Sequence, residues 1–308
     1  MIEGYREAER DLRSACGPRL KAGFPLAPLT SFRIGGPAAL YLEPESEGDL
    51  EAASDAIRKW DIPFALLGKG SNVLVSDGGF DGLVLRLGRA FRWTARDGDS
   101  LTAGGAMPVP ALSGVAARHG LGGFAFAVAI PASLGGAVRM NAGAHSGQIS
   151  DVVERAEVIL LTQGERRWMP AAQIGFGYRS CSLPLDALVV AASIRLHTED
   201  HAQIRAQMDD ARDWRRKTQP LAEPNCGSVF VNPPGDHAAR LIEEAGLKGR
   251  SVGGATISEK HANFIVTRPG AKAADVVRLI DEIRERVKSE FGLELRTEVR
   301  FIGAELDG

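Results

Sequence analysis

Apolar residues recur at helical spacing near the start of the chain and at strand spacing afterwards. This pattern predicts a helix over residues 3–20 that stops at Gly17-Pro18, and then short strands and turns from Phe32 onward. A second helix is predicted from about Asp49 to Trp60. Further strands are predicted at SLTAGGA, RAEVILLT and LVVAASIRLH, with another helix at PALSGVAARHG. The mixture predicts an α+β unit.

The polar stretch HTEDH marks a boundary, and a charged helix from about Ala202 to Lys217 follows it. The pattern then predicts a helix at DHAARLIEEAG that is capped by Asp236 and closed by Gly246. It also predicts strands at SVFVNP, ANFIVT and LELRTEVRFIG, with a helix at AADVVRLIDEIRERVKSEFG before the last of them. We therefore predict a helical appendage over residues 1–30, a first α+β domain over 31–199 and a second, smaller one over 200–308.

Charge excludes several classes of partner. With 37 basic and 39 acidic side chains, the formal net charge is −2, so no overall field attracts nucleic acid or an anionic membrane. Any anionic ligand must therefore be held by a local site. The longest uncharged run, residues 121–138, contains Pro131 and four glycines, which argues against a membrane-spanning helix.

The three cysteines, Cys16, Cys181 and Cys226, form no CxxC pair, so neither a disulfide framework nor a zinc site is expected. The N-terminus lacks the basic and then apolar pattern of a signal peptide. We therefore expect a cytoplasmic protein without membrane or nucleic-acid partners. The sequence leaves the oligomeric state open, and a monomer is the working expectation.

Two glycine-rich segments indicate phosphate binding. The first, LLGKGSNVLVSD, follows an apolar strand, and its closely spaced glycines expose backbone amides beside hydroxyl and amide side chains. A dinucleotide-binding GxGxxG motif must open into a helix, whereas a strand, VLVSD, is predicted here, so the Rossmann interpretation is rejected. A tight β-turn remains the alternative. The candidate residues are Gly68, Lys69, Gly70, Ser71 and Asn72.

The second segment, AIPASLGGAVRMNAGAHSGQISDVV, is long, nearly uncharged and rich in very small residues, so a bulky ligand can approach its backbone closely. The alternative is a buried loop in which glycine allows protein to pack against protein. Two such segments in one α+β unit favour a cofactor that contains a diphosphate. The candidate residues are Ser133, Gly135, Gly136, Asn141 and Gly143.

An ordered set of motifs over residues 23–304 resembles the UDP-N-acetylenolpyruvoylglucosamine reductase family. The set comprises TSFRIGG, GKGSNVLVSD, IPxSxGGAVxMNAGAxxGxISDV, FGYR, CGSVFVNP, SEKHANFIV and TEVRFIG. The spacing between Arg179 and Ser228 leaves no room for the tyrosine-bearing loop of the longer members, so the chain resembles the shorter type.

The resemblance implies an α+β fold in which a FAD-binding domain of the vanillyl-alcohol-oxidase (PCMH) type is joined to a smaller C-terminal substrate domain. It also implies the family's reaction in peptidoglycan biosynthesis. In that reaction NADPH reduces FAD, and UDP-N-acetylglucosamine enolpyruvate is then reduced to UDP-N-acetylmuramate. Hydride passes from flavin N5 to substrate C3, and a proton passes to C2.

Three residues match the family's catalytic positions. The resemblance implies that Arg179 and Glu298 stabilise an enolic intermediate and that Ser228 donates the proton to C2. The residues alone leave a salt bridge for Arg179, a turn for Ser228 and a solvated strand face for Glu298 as alternatives. Lys217 and Asn232 match substrate-binding positions of the family.

Other features carry less information. Cys181 stands where many relatives have serine, and a thiol is a weak donor. Ala132 replaces a commoner glycine in the second segment. His145 lies in that segment without a role that the sequence fixes. HTEDH places two histidines four residues apart but lacks the HExxH order, so no metal is expected.

Two other functions remain alternatives. A flavin-dependent oxidase of the same fold would have no reason to pair Ser228 with Glu298. A sugar-nucleotide binding protein that has lost its flavin would be colourless when purified.

Overall fold

The computed structural model describes residues 4–144 and 147–303, and the chain divides into two compact units. The first comprises Met1–Ala22, Leu40–Lys69 and Gly82–Arg215, and the second comprises Gly23–Ala39, Gly70–Asp81 and Arg216–Gly308. Among the described residues, no helix combines the length and apolar character that crossing a membrane requires.

The helices of the first unit begin with α1, which buries Ala8, Leu12 and Cys16 and packs against α2. The Ser46 hydroxyl caps α2 by accepting from the N–H of Asp49 at 3.2 Å. The predicted N-terminal helix is thus confirmed, although it ends at Cys16 because Gly17 adopts a positive φ. The helices are α1 (Tyr5–Cys16), α2 (Glu47–Trp60), α3 (Val109–Arg118), α4 (Leu134–Arg139), α5 (Ala171–Ile174) and α6 (His201–Thr218).

The strands up to the C-terminal part of the chain form two larger sheets. One has the order β1-β2-β5-β3, and the other, antiparallel throughout, has the order β12-β11-β13-β7-β6. The strands are β1 (Leu20–Pro25), β2 (Pro37–Leu42), β3 (Phe64–Leu66), β4 (Val73–Val75), β5 (Phe80–Leu85), β6 (Thr94–Asp97), β7 (Ser100–Gly104), β8 (Leu121–Gly122), β9 (Gly143–Ala144), β10 (Gly147–Gln148), β11 (Val153–Leu160), β12 (Glu165–Pro170), β13 (Ala187–Arg195) and β14 (His197–Thr198).

The centre of the first unit is β13, which is buried along all but its last residue because β11 and β7 flank it and α4 packs on it. Its run of valine and alanine suits a strand that is covered on both faces. The short helix α4 was not predicted, since it lies within the glycine-rich segment. The strand β4 after GKGSN confirms that this loop does not open into a helix.

The second unit packs two helices, α7 (Ala238–Glu244) and α8 (Ala273–Phe291), with a sheet of order β15-β16-β17. The strands are β15 (Ser251–Val252), β16 (Ala255–Ile257), β17 (Ile265–Thr267) and β18 (Arg300–Ile302). β18 pairs in parallel with β4. The carboxylate of Asp77 holds the start of α8 by accepting from the N–H groups of Ala273 and Ala274.

Two predictions for this unit were wrong in their details. SVFVNP forms only an isolated bridge, from Phe230 to Thr297, and LELRTEVRFIG is a strand only at Arg300–Ile302. The other edge of Phe230 bonds to the Asn263 side chain through both backbone groups. Asp236 does not cap α7, since the N–H of Ala238 donates to Asn232 Oδ1 at 3.0 Å. Asp236 forms an ion pair with Arg240 instead.

Candidate active site

The two glycine-rich segments meet at the hydroxyl of Ser133. Ser133 directly precedes α4, is 6% exposed and does not use its hydroxyl to cap the helix. A Cβ built on Gly68 would lie 2.7 Å from Ser133 Oγ, and one built on Gly136 would lie 3.3 Å from it. A side chain at Gly68 would collide with the hydroxyl. The structure therefore brings together three of the residues that were predicted to bind the diphosphate. Two of them are glycines, which have no side chain to cover the backbone.

Protein packing accounts for two other glycines of these segments. A Cβ on Gly135 would lie 2.7 Å from the carbonyl oxygen of Val189, where α4 packs against β13. Gly70 has φ +65°, and a Cβ there would overlap the carbonyl of Leu29. Of the remaining candidates in the first segment, Lys69 is exposed and Ser71 is half-buried.

Arg179 lies at the tip of a two-residue turn in the first unit. Gly177 and Ser180 close the turn through N–H···O bonds of 3.0 and 3.3 Å. Arg179 has φ +54°, the region that glycine normally occupies at the third position of a type II turn. The guanidinium lies above Gly143, because a Cβ there would be 2.6 Å from Nη1. Any larger residue at 143 would displace it.

Asn141 connects this turn to the second glycine-rich segment. It is 1% exposed and has φ +40°. Its Nδ2 donates to the carbonyl of Gly177 at 2.8 Å, and its Oδ1 accepts from the N–H of Ser150 at 2.9 Å. The side chain that was predicted to contact the cofactor thus bonds to the loop that carries Arg179.

Ser228 lies in a half-buried position between Gly227, which has φ +81°, and the buried residue Val229. Val229 N–H donates to the carbonyl of Asn263 at 2.9 Å. The neighbouring Phe230 exchanges bonds of 2.9 and 2.8 Å with the Asn263 side chain. Asn263 therefore fixes the backbone on the C-terminal side of Ser228.

Glu298 lies next to this segment in the second unit. Its N–H donates to the carbonyl of Val229 at 2.8 Å. Asn72 Nδ2 donates to the carbonyl of Glu298 at 3.0 Å. The fold therefore brings Ser228 and Glu298 together although they are far apart in the sequence, and a residue of the first glycine-rich segment holds the second of them.

The Cys226 thiol lies close enough to the Glu298 carboxylate to be affected by its charge. Cys226 is 2% exposed, and its pKa is raised chiefly by burial and also by the negative charge of Glu298. The thiol stays protonated at neutral pH. The carboxylate thus acts on the loop two residues before Ser228.

The remaining candidates occupy varied positions. Lys217 is exposed in the last turn of α6, and Asn232 uses its oxygen at the start of α7. Cys181 is half-buried and packs against the core of the first unit. His145 lies outside the described residues.

The histidine pair of HTEDH makes no metal site. His197 lies 3.7 Å from a carboxylate oxygen of Glu199, and His201 Nδ1 lies 3.0 Å from the carbonyl oxygen of Ala117. Within residues 4–144 and 147–303, no cluster of three histidine, cysteine, aspartate or glutamate side chains is arranged to hold a metal.

Sequence reasoning missed Asn263, and it did not foresee the bond from Asn141 to the Arg179 turn. Asn263 stands in the apolar run HANFIV and is 3% exposed, so a polar residue among buried positions was the signal that could have found it. Asn141 could not be separated from its glycine neighbours by pattern alone. Its partner Gly177 lies 36 residues further along the chain.

Comparison with known proteins gives matches over both halves of the chain. Residues 38–169 match the FAD binding domain family, and residues 219–302 match the family described as UDP-N-acetylenolpyruvoylglucosamine reductase, C-terminal domain. A reductase of that name from Anaeromyxobacter sp. strain Fw109-5 is 47% identical over 91% of this chain and 87% of its own length. Another, from Heliobacterium modesticaldum, is 47% identical over 91% of this chain and 89% of its own length.

Among solved structures, that of UDP-N-acetylenolpyruvylglucosamine reductase from Thermus caldophilus is similar with a TM-score of 0.79 and 35% identity. The match covers 91% of this chain and 97% of that one. The predicted α+β class, with a FAD-binding domain followed by a separate C-terminal domain, is confirmed.

Proposed function

The chain belongs to the UDP-N-acetylenolpyruvoylglucosamine reductase family, and from this membership we propose which of its residues carry out the family's reaction. The predicted function, an FAD-dependent oxidoreductase of peptidoglycan synthesis with NADPH as co-substrate, agrees with that membership. The enzyme reduces UDP-N-acetylglucosamine enolpyruvate to UDP-N-acetylmuramate. The observation that supports the residue assignment is the bond from Glu298 N–H to the carbonyl of Val229, which brings the backbone of Glu298 next to the residue that follows Ser228.

The loops at Ser133 suit a flavin diphosphate. Gly68 and Gly136 flank the Ser133 hydroxyl, and their missing side chains let a phosphate approach backbone and hydroxyl donors together. The short helix α4 begins directly after this hydroxyl. When bound, FAD would supply the redox chemistry of the reaction, a hydride equivalent drawn from NADPH for substrate C3.

Arg179 and Glu298 manage the charge that develops on the substrate. Hydride addition at C3 leaves an electron pair at C2 that spreads into the adjacent carboxylate. The planar guanidinium of Arg179 can bind that carboxylate with two parallel hydrogen bonds. Preorganised donors of this kind stabilise a transition state because they need no reorientation as charge develops. Glu298 is the second residue that the family match assigns to the stabilisation of this charge.

Ser228 provides the proton for C2. Its segment is fixed by Asn263 on one side and by the bond from Gly227 N–H to Asn225 Oδ1 on the other, so the backbone that carries the hydroxyl is held in place. Proton transfer from the hydroxyl to C2 completes the addition of hydride and proton across the double bond. The serine then regains its proton from solvent.

Binding of the sugar nucleotide is assigned to Lys217 and Asn232. Lys217 is an exposed cation at the end of α6, suited to a diphosphate. Asn232, whose Oδ1 accepts from the N–H of Ala238, stands at the start of α7 and is assigned to the sugar nucleotide by its match to the family's position. We further propose that the enzyme is monomeric and cytoplasmic. The free thiols of Cys16, Cys181 and Cys226 agree with a reducing compartment such as the cytoplasm.

The test is an anaerobic stopped-flow experiment on the purified protein. NADPH is expected to bleach the flavin, and the enolpyruvyl sugar nucleotide is expected to restore its yellow colour. Ser228→Ala is expected to bleach at the wild-type rate but to regain colour about 10²- to 10⁴-fold more slowly, the usual contribution of general acid catalysis.

Other outcomes would contradict the proposal. Loss of both half-reactions in Ser228→Ala would exclude the proton-donor role, since flavin reduction needs no acid at that position. Bleaching of the wild-type protein without recovery would indicate an oxidase or another acceptor. A protein that contains no flavin when purified would indicate a binding protein.

A further inference from the structure

The side chain of Asn141 is fully engaged by the protein around it. It is 1% exposed, its Nδ2 donates to Gly177 O at 2.8 Å and to Gln148 Oε1 at 3.3 Å, and its Oδ1 accepts from Ser150 N–H at 2.9 Å. An amide offers two donor hydrogens and one carbonyl oxygen. These bonds use both hydrogens and one lone pair, so the side chain has no donor left for a phosphate.

Gly177, the main partner of Asn141, is the base of the Arg179 turn. Its carbonyl accepts from Ser180 N–H inside the turn and from Asn141 Nδ2 outside it. Between these ends, Arg179 is held at φ +54°, a conformation that costs a residue with a Cβ on the order of 1 kcal/mol. The bond from Asn141 therefore ties a strained turn to the segment that contains Gly143, above which the Arg179 guanidinium lies.

We propose that Asn141 is a positioning residue for Arg179 rather than a ligand of the cofactor. The inference rests on the proposed role of Arg179 in the second half-reaction. Asn141 fixes where the turn begins, and Gly143 leaves space for the guanidinium at its end. A displacement of about 1 Å in such a group can cost about a hundredfold in rate, so the tether acts on catalysis without touching the substrate.

The decisive variant is Asn141→Asp. Aspartate keeps the oxygen that accepts from Ser150, and it tolerates a positive φ nearly as well as asparagine does. It loses the N–H that donates to Gly177 and sets an oxygen against the carbonyl. We expect the FAD content and the rate of flavin reduction by NADPH to stay within about twofold of wild type. Reoxidation by the enolpyruvyl sugar nucleotide is expected to slow about 10- to 100-fold.

Two controls separate positioning from a general loss of structure. Gln148→Ala removes the weaker partner of Asn141 and a side chain that caps the turn at residues 149–151, but it leaves the bond to Gly177. It should reoxidise within about twofold of wild type. Arg179→Gly should reoxidise slowly, and adding Asn141→Asp to it should cause no further slowing, because the two residues act through one group.

The outcomes distinguish failure of this inference from failure of the proposed function. Loss of FAD from Asn141→Asp, or equal slowing by Gln148→Ala, would overturn the positioning role. So would wild-type reoxidation by Asn141→Asp while Arg179→Gly is slow. Wild-type reoxidation by Arg179→Gly itself would instead remove the proposed role of Arg179.

Discussion

The turn that carries Arg179 and the segment that carries Ser228 are held in place in different ways. The Arg179 turn is local and surface-exposed, with Tyr178 51% exposed at its tip, and Asn141 ties its base to the neighbouring segment. The Ser228 segment runs into the core of the second unit, where Cys226, Val229 and Phe230 are each at most 2% exposed.

The Arg179 turn and the Ser228 segment also differ in the hydrogen bonds that hold them. Around Ser228, Asn225 Oδ1 accepts from Gly227 N–H, and Asn263 bonds to the backbone of both Val229 and Phe230. Glu298 N–H adds another bond, to the carbonyl of Val229. Ser228, the proposed proton donor, is therefore built into the folding core, whereas Arg179 is carried on a strained turn. We expect that the turn can be altered without unfolding the protein, whereas a change in the core segment lowers stability.

The first and largest expected effect concerns Arg179→Gly. Glycine relieves the positive φ but increases the freedom of the unfolded chain, and each change is worth on the order of 1 kcal/mol in opposite directions. We therefore expect the denaturation midpoint to stay close to that of wild type. The rate of reoxidation should fall about 10²- to 10³-fold, the usual cost of losing one donor to a developing anion.

Arg179→Lys is the matched variant for this comparison. It keeps the charge and the strained backbone but loses the planar fork. It should reoxidise faster than Arg179→Gly and more slowly than wild type. A large loss of stability in Arg179→Gly would show instead that the turn belongs to the folding core.

The second expected effect is on stability and concerns Asn263→Ala. The change leaves the N–H and carbonyl of Phe230 without their side-chain partner at a position that is 1% exposed. Each buried group left unpaired costs about 1–3 kcal/mol, so we expect a loss of about 3 kcal/mol in the free energy of unfolding, measured by urea denaturation.

Asn263→Asp removes only one of these two bonds. It keeps the oxygen that accepts from Phe230 N–H and loses the group that donates to the Phe230 carbonyl. Its stability should lie between those of wild type and Asn263→Ala. Equal stability of all three proteins would mean that the Ser228 segment is no more firmly held than the Arg179 turn.

Most helices could be predicted because they carry local signals. The glycines at 17 and 292 end α1 and α8, and both adopt the positive φ that such ends require. The run SVFVNP also predicted a strand, but Phe230 forms only an isolated bridge to Thr297, and the Asn263 side chain bonds to the other edge of Phe230. That bond joins residues 33 positions apart, and no local pattern encodes it.

The candidate site also has parts that the sequence predicted and parts that it could not predict. The ordered motifs pointed to Arg179, Ser228 and Glu298, and the fold places the last two together. The motifs could not show which partners the asparagines of the glycine-rich segments meet. Asn72 and Asn141 both stand in glycine-rich segments, yet each donates to a backbone carbonyl of the protein. The amino-acid composition of a segment gives the polar groups that it contains, but it does not give the groups to which they bond.

The smallest expected effect is on how stability depends on pH. It concerns the Ser228 segment and not the Arg179 turn. His261 precedes Asn263 by two residues, its Nδ1 accepts from Asn263 N–H at 3.3 Å, and its ring packs on Phe264. Burial lowers the pKa of His261 below its ordinary value near 6.5, and the charge of Lys248 adds to this, outweighing an opposite effect of Glu243. The neutral ring is therefore the form that the folded state accommodates.

The sign of the effect follows from this lowered pKa. Above about pH 6.5 the ring is neutral in both states, whereas below it the unfolded chain binds the proton more readily, so stability falls as the pH falls. We expect the urea midpoint to decrease between pH 7 and pH 5, and to decrease less in His261→Gln, whose amide does not titrate. Parallel curves for the two proteins would show that His261 contributes nothing to this dependence. The Arg179 turn, residues 177–180, contains no histidine, aspartate or glutamate, so Arg179→Gly should follow the wild-type curve.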